Sequence, residues 1–307
     1  MNLHQFFSIS SQYRLFDYVV CLALYLIAGL VGSYATPFCR TFRWDDASIR
    51  HPYGGKGTFP GWTLTPISLF PCVVYVVCEV LKTYLGSTEG GEEEGPASPT
   101  TDSVRVVIGS PTGEGEGFGE MRKGGWYSCV VNCHYWILTQ FFSVAVTRFV
   151  VDLMKVYAGR LRPDFIARLE QEKITQDTIG KDLCLAARAG RLSFPSGHSG
   201  ITFSAMLPLS FYLFSLLRGF PRVPNAYRRQ RRQAQTVAPS FGIVVLAALP
   251  VAFAALVALS RTRDNRHHFS DIVCGSLLGC VAAFFAVCHN FEVNLLKGSL
   301  RPRTVVG

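Results

Sequence analysis

The sequence predicts an all-α, polytopic membrane protein, a single six-transmembrane-helix bundle over residues 1–307. Three observations predict it. Nearly half of the residues (49%) are apolar and the mean hydropathy is positive. The apolar residues gather in long runs almost free of charge instead of spreading as they would in a soluble domain. Each run is long enough to cross ~30 Å of hydrocarbon at about 20 residues per helix, and a helix satisfies its own backbone groups in that solvent.

The runs lie at about 16–36, 67–85, 129–152, 201–217, 240–259 and 272–292. The first follows a polar-aromatic stretch with no small-residue cleavage site, so it is expected to remain as an anchor. Pro66 and Pro71 open the second run, and Pro208 and Pro250 lie inside the fourth and fifth. Neighbouring helices can re-satisfy the carbonyls such prolines free. An even number of spans puts both termini on one side. Residues 87–125, rich in Gly, Glu, Ser, Thr and Pro, cannot bury enough apolar surface to order themselves and read as a disordered acidic cytoplasmic loop. Gly113, Gly115, Gly117 and Gly119 nearly spell a dinucleotide fingerprint. That motif needs a strand before it and a helix after it, and these flanks are acidic and polar.

The loop from Arg218 to Pro239 holds six arginines and no acidic residue, which places it in the cytoplasm by the positive-inside rule. Lys297, Arg301 and Arg303 in the tail fall on the same side. A raw count of Lys and Arg over the two faces is nearly even, and the balance tips once the arginines assigned to chemistry below are set aside. Both termini are then cytoplasmic, and the loops after the first, third and fifth spans face outward or into a lumen. The net charge of +9 suits anionic headgroups and phosphates. Nucleic acid is not an expected partner, because zinc-finger spacing and a basic-aromatic stripe are both missing. Eight of the ten cysteines sit in apolar runs as small buried side chains. Cys39 and Cys184 lie in polar stretches and would pair if both face an oxidising compartment.

Three short stretches carry ionisable residues at span ends, all on the non-cytoplasmic face. They are Lys155 to Arg162-Pro163, then Pro195-Ser196-Gly197-His198, then Ser260-Arg261 with His267 and Asp271. Such residues at membrane depth are costly and mark function. A phosphoryl group in transfer spreads negative charge over its oxygens. Lys155, Arg162 and Arg261 are suited to that charge, the arginines through a planar fork. Ser196 and Gly197, ahead of a helix, offer backbone N–H groups and a hydroxyl to another oxygen. His267 stands four residues before Asp271, and a carboxylate on one ring nitrogen would leave the other free to attack. His267 is the expected nucleophile, Asp271 its orienting group and His198 the general acid and base. His268 is the adjacent alternative, set aside on the spacing to Asp271. Taken singly, each residue has a plainer role: a snorkelling lysine, a helix stop, interfacial histidines or metal ligands. No metal or cofactor is required, since the cations supply the electrostatic stabilisation.

These motifs resemble the type 2 phosphatidic acid phosphatases, the lipid phosphate phosphatases of the superfamily shared with vanadium-dependent haloperoxidases. The pattern Lys155…Arg162-Pro163, Pro195-Ser196-Gly197-His198, Ser260-Arg261…His267…Asp271 is complete. Ser48-Ile49-Arg50-His51-Pro52-Tyr53 and Gly159-Arg160-Leu161-Arg162-Pro163 extend the likeness toward the eukaryotic branch. The resemblance implies a magnesium-independent phosphatase acting through a phosphohistidine. Its implied substrates are phosphatidate, lysophosphatidate, diacylglycerol pyrophosphate and sphingoid phosphates, presented by the lipid bilayer. Two departures touch lineage and trafficking and leave the chemistry intact: there is no Asn-x-Ser/Thr sequon, and the 87–125 insert is long. The alternatives are a sphingolipid-synthase-like phosphotransferase, which usually lacks the full Lys…Arg-Pro motif, and an inactive lipid-binding member. The choice among plasma membrane, endoplasmic reticulum and Golgi stays open, as does homo-oligomer formation.

Overall fold

The computed structural model describes residues 14–55, 57–89, 116–178, 183–219, 240–294 and 299–303. Seven α-helices are present among them: α1 (Leu15–Tyr34), α2 (Leu64–Glu89), α3 (Glu116–Ala158), α4 (Phe165–Gln171), α5 (Gly197–Gly219), α6 (Phe241–Arg263) and α7 (Phe269–Asn290). All except α4 are long and apolar enough to cross a membrane. The local chemistry explains the ends. α1 stops before Thr36-Pro37, where the ring of Pro37 disfavours a helical residue ahead of it. Pro66 falls in the first turn of α2, where its missing N–H costs nothing. α7 starts on a reciprocal cap, with the Asp271 carboxylate accepting the His268 N–H at 3.0 Å.

α5 is the central helix, packed by α2, α3, α6 and α7, and half of its apolar stretch is buried against 11% for peripheral α1. Its tightest neighbour is α7. A Cβ on Gly275 would collide with the Ser196 carbonyl, and one on Gly279 with the Gly200 carbonyl. Small residues four apart let two membrane helices approach backbone to backbone. The Ser196 N–H donates to the Asp271 carbonyl at 2.9 Å, which pins the starts of α5 and α7 together.

In the half of the bundle away from these starts, Tyr75, Trp136 and Tyr212 pack with Phe291. Glu79, buried there, accepts from Lys82 Nζ (2.8 Å), Tyr212 Oη (3.2 Å) and Asn132 Nδ2 (3.2 Å), joining α2, α3 and α5. Outside the spans, α4 and the first loop form a small second core of Ile49, Leu161, Phe165, Ile166 and Leu169. A Cys39–Cys184 disulfide ties this cap, with the Cα atoms 5.2 Å apart. Arg191, fully buried, donates to the carbonyls of Arg40 (3.1 Å) and Leu183 (2.6 Å).

Several helix ends differ from the expected spans. α3 runs to Ala158, so Lys155 lies in its last turn and not past it. α5 begins at Gly197, so Gly197 and His198 are its first turn. α6 reaches Arg263 and carries Ser260 and Arg261. Hydropathy marks hydrocarbon depth, whereas the backbone ladder continues into the polar boundary. The last span ends at Asn290, not 292. Phe291–Asn294 (β1) and Ser299–Pro302 (β2) form an antiparallel hairpin with Phe291 opposite Pro302, an exception to the all-α expectation. The alternation Phe291-Glu292-Val293-Asn294 suits a half-buried strand, and the Phe291 ring stacks 4.2 Å from Trp136. The loop expected over 87–125 is shorter, because 87–89 and 116–125 are helical; residues 90–115 lie outside the described residues, as does most of the Arg218–Pro239 loop.

Gly279→Leu should force α5 and α7 apart. Overpacking of this kind costs about 1–3 kcal/mol or more, read as a lower thermal unfolding midpoint in detergent, whereas Leu277→Ala on the exposed face should change it little.

Candidate active site

The C-terminal ends of α3 and α6 and the N-terminal ends of α5 and α7 share one end of the bundle. They bring six of the eight expected residues to one cavity of about 730 Å³: Lys155, Arg162, Gly197, His198, Arg261 and His267. Ser196 and Asp271 stand directly behind it, both fully buried.

Lys155 reaches across from α3, its Nζ 3.2 Å from Asp152 Oδ1. A Cβ on Gly197 would stand 2.8 Å from that Nζ and would displace it, so glycine here lets the ammonium lie against the start of α5. Arg162 follows α3 in an extended segment whose N–H donates to the Gly190 carbonyl at 2.8 Å. Its guanidinium touches the Leu192 carbonyl only loosely (3.4 Å), and among the described residues the buried Nε has no partner. Burial, with the nearby guanidinium of Arg168 acting the same way, holds Arg162 down at about 10, so it keeps its charge at neutral pH. Such an under-used buried donor is chemically suited to an anion.

Arg261 is buried and pairs with Asp264. Its Nη1 donates to the Phe59 carbonyl at 2.9 Å, and the same carbonyl lies 2.9 Å from His198 Nε2. Asp264 also accepts from Thr58 N (2.8 Å) and Thr58 Oγ1 (2.9 Å), which fastens the Thr58–Pro60 segment over the end of α6.

His267 precedes the N-cap of α7 and is buried. Its Nδ1 lies 2.7 Å from the Ser193 carbonyl and 3.7 Å from Asp271 Oδ2. A carbonyl only accepts, so Nδ1 carries the proton and Nε2 keeps its lone pair. Burial holds the imidazole well below its ordinary value, partly opposed by Asp271, so the ring is neutral at pH 7. Asp271 thus stands at ion-pair distance from the ring nitrogen, and the nearer Ser193 carbonyl takes the hydrogen bond. His267 lies one residue before the N-cap of α7, so this contact spans the helix start. Asp271 also accepts from Ser193 Oγ (2.6 Å), Arg160 Nη1 (2.7 Å) and the His268 N–H.

Ser196 departs from expectation. Its N–H is spent on Asp271 and its hydroxyl accepts from Ser199 Oγ at 3.0 Å. The open donors at this helix start are those of the first turn, from Gly197 onward. His268, the adjacent alternative, caps α7 and meets the Leu161 carbonyl at 3.2 Å. Sequence reasoning missed Ser193, Arg160 and Asp264. Asp264, three residues after Arg261 near the end of the same helix, was legible as its partner; Ser193 stands just before the Pro195–His198 motif and Arg160 beside Arg162, and neither carries a signal of its own. The Phe59 carbonyl has no side-chain signature. Among the described residues no three His, Cys, Asp or Glu side chains converge as a metal site.

From these groups the cavity continues between α1, α2 and α3, past Leu22, Leu64, Leu69, Phe141 and Val144 to Tyr18 and Gln140. Lys155 to Gln140 is fifteen residues of α3, about 22 Å. α1 and α2 each pack on α3 and leave a cleft between them.

Fold and site define a polytopic helical membrane protein with a cationic, two-histidine pocket at one membrane face. The family model for the PAP2 superfamily matches residues 136–294, which contain all eight expected site residues, and the chain belongs to that superfamily. It is 38% identical to the Saccharomyces cerevisiae protein named diacylglycerol pyrophosphate phosphatase 1, over 91% of this chain and 80% of that one. It is 33% identical to a PA-phosphatase related-family protein of Dictyostelium discoideum, over 55% of this chain and 56% of that one. It is 31% identical to lipid phosphate phosphatase 1 of Arabidopsis thaliana, over 52% and 45% respectively. The chain thus spans about half the length of the last two. No solved structure matches.

Arg160→Gln removes a charged donor from the buried Asp271 carboxylate. Arg160 is one-third exposed, so the loss should fall at the low end of about 1.5–3 kcal/mol for a hydrogen bond to a charged group, measured as a lower unfolding midpoint.

Proposed function

We propose that the protein is a magnesium-independent lipid phosphate phosphatase that hydrolyses phosphatidate through a phosphohistidine. Lysophosphatidate, diacylglycerol pyrophosphate and sphingoid phosphates are further substrates of the same chemistry. The observation that carries this reading is the single cavity joining a cationic, histidine-bearing end to a long apolar lane open between α1 and α2. A free phosphate ester needs only the first half, and a lipid phosphate fits both. The names of the yeast and plant relatives support the same class.

In this mechanism the phosphoryl oxygens sit among Lys155, Arg162, Arg261 and the N–H groups at the start of α5, with Ser196 holding that turn in place. These donors stabilise the charge that spreads in transfer. Neutral His267 attacks phosphorus through Nε2 as the P–O bond to the lipid breaks. His198, protonated from solvent as the anionic substrate binds, gives its Nε2 proton to the leaving alkoxide and becomes neutral, exchanging its contact with the Phe59 carbonyl for the substrate oxygen. The Ser193 carbonyl, backed by Asp271, holds the imidazole that becomes cationic. Water, deprotonated by His198, then attacks the phosphohistidine, releases phosphate and restores both rings.

The site faces the extracellular side or a lumen, with both termini cytoplasmic. α5 runs from the site to Gly219 at the opposite end of the bundle, and the arginine-rich stretch that continues the sequence there supports a cytoplasmic position for that end by the positive-inside rule. The Cys39–Cys184 disulfide on the site side suits an oxidising compartment.

Purified protein in detergent micelles should release phosphate from phosphatidate with EDTA present. His267→Ala should abolish that release and the acid-labile ³²P label on the protein, with expression retained. His198→Ala should slow turnover by about 10²–10⁴-fold. Activity of His267→Ala near wild type would remove the nucleophile assignment, and loss of activity in EDTA would remove the metal-free mechanism.

A further inference from the structure

Five cations line the cavity; Lys155, Arg162 and Arg261 face the histidines, Arg266 is engaged by the Gly55 carbonyl and the Tyr53 ring, and Arg148 is the one a single phosphoryl group does not need. Arg148 lies on α3 seven residues before Lys155, hence on the same face and about 10 Å further toward the apolar lane. It belongs to a membrane-spanning helix, where an arginine is costly unless it is paired or serves a ligand. Its guanidinium lies over the Tyr25 ring, 4.0 Å from the centroid. That contact uses the flat face of the group and leaves the N–H edge open. The nearest carboxylate oxygen, Asp152 Oδ2, is 3.6 Å from Nε, beyond hydrogen-bond reach. Among the described residues its guanidinium makes no hydrogen bond. Asp152 gives its other oxygen to Lys155 at 3.2 Å, so one carboxylate stands between two cations and cannot neutralise both.

The order along the cavity is therefore fixed. Lys155, Arg162 and Arg261 surround the histidines, and Arg148 follows on the side from which the lipid body extends. In a lipid monophosphate the atoms at that depth belong to a neutral ester or alcohol. In a lipid diphosphate the inner phosphate occupies that direction, carrying negative charge that suits a planar fork. We propose that Arg148 is a specificity residue that receives the inner phosphate of lipid diphosphates, making these the preferred substrates over the matching monophosphates. The inference rests on the phosphatase reading above. It adds no chemical step: the terminal P–O bond breaks as before, and the leaving group is the lipid monophosphate. The inner phosphate is common to diacylglycerol and isoprenoid diphosphates, so the two carriers are compared.

The test is the ratio of kcat/KM for each diphosphate to kcat/KM for the monophosphate of the same lipid, measured with full-length protein in detergent micelles. Arg148→Gln should lower that ratio about tenfold for the carrier the enzyme uses, the size of one lost charge-assisted contact. Arg148→Lys, which keeps the charge without the fork, should give a smaller fall. A purely structural arginine holding α1 to α3 would depress both substrates alike. A ratio that stays within about twofold of wild type in both variants would overturn the proposal. If Arg148→Gln does not fold, the ratio in Arg148→Lys decides. Failure of the wild type to release phosphate from any of these lipids would instead remove the phosphatase reading itself, and this inference with it.

Discussion

The structure depends on the close crossing of α5 and α7. Lipid tails are as apolar as the helices they surround, so burial alone does not drive membrane helices together, and close packing has to supply the specificity. Gly275 and Gly279 let the α7 backbone press onto the carbonyls of Ser196 and Gly200. The Ser196 N–H then reaches the Asp271 carbonyl. This one contact sets the Pro195–His198 segment beside the His267–Asp271 segment, although some seventy residues separate them in the chain. The remaining helices add cations around a frame already fixed: α3 brings Lys155 against Gly197, and α6 brings Arg261 to the same end.

Charge is arranged in two layers. The inner layer, Asp271 with Ser193, Arg160 and the His268 N–H, is saturated, and a saturated buried network is rigid. The outer layer, facing the cavity, is deliberately short of acceptors: the buried Arg162 Nε has none among the described residues. A rigid saturated shell behind an unsaturated one is what a receptor for a multiply charged anion needs, because the donors do not have to reorganise when the anion arrives. His267 stands where the layers meet, its Nδ1 held by the neutral Ser193 carbonyl with the Asp271 carboxylate 3.7 Å away.

The six spans and the site end were legible because hydrocarbon thickness and costly intramembrane charges leave strong marks in a sequence. Lys155, Arg162, His198, Arg261 and His267 converge on one cavity as their order along the spans suggested. What the sequence hid is geometric. Asp271, four residues from His267, does stand at ion-pair distance from it, but the nearer partner of the ring, the Ser193 carbonyl, is not visible in that spacing. Backbone groups, the Phe59 and Ser193 carbonyls above all, have no residue-type signature. Ser193 and Arg160 were overlooked because each stands beside a more conspicuous motif residue. The short hairpin after Asn290 escaped because a four-residue alternating strand is a faint signal next to a twenty-residue apolar run.

The cleft between α1 and α2 changes what concentration means for this protein. Under the proposed function, a lipid entering sideways by this cleft would not leave its leaflet, and its head group would meet the cations after lateral diffusion in two dimensions. Occupancy then follows the mole fraction of substrate in the leaflet rather than its amount per volume of solution. Inert lipid becomes a diluent, and water-borne analogues without a tail must approach by a different face. Under that reading, lipid composition around the protein would be part of its rate law.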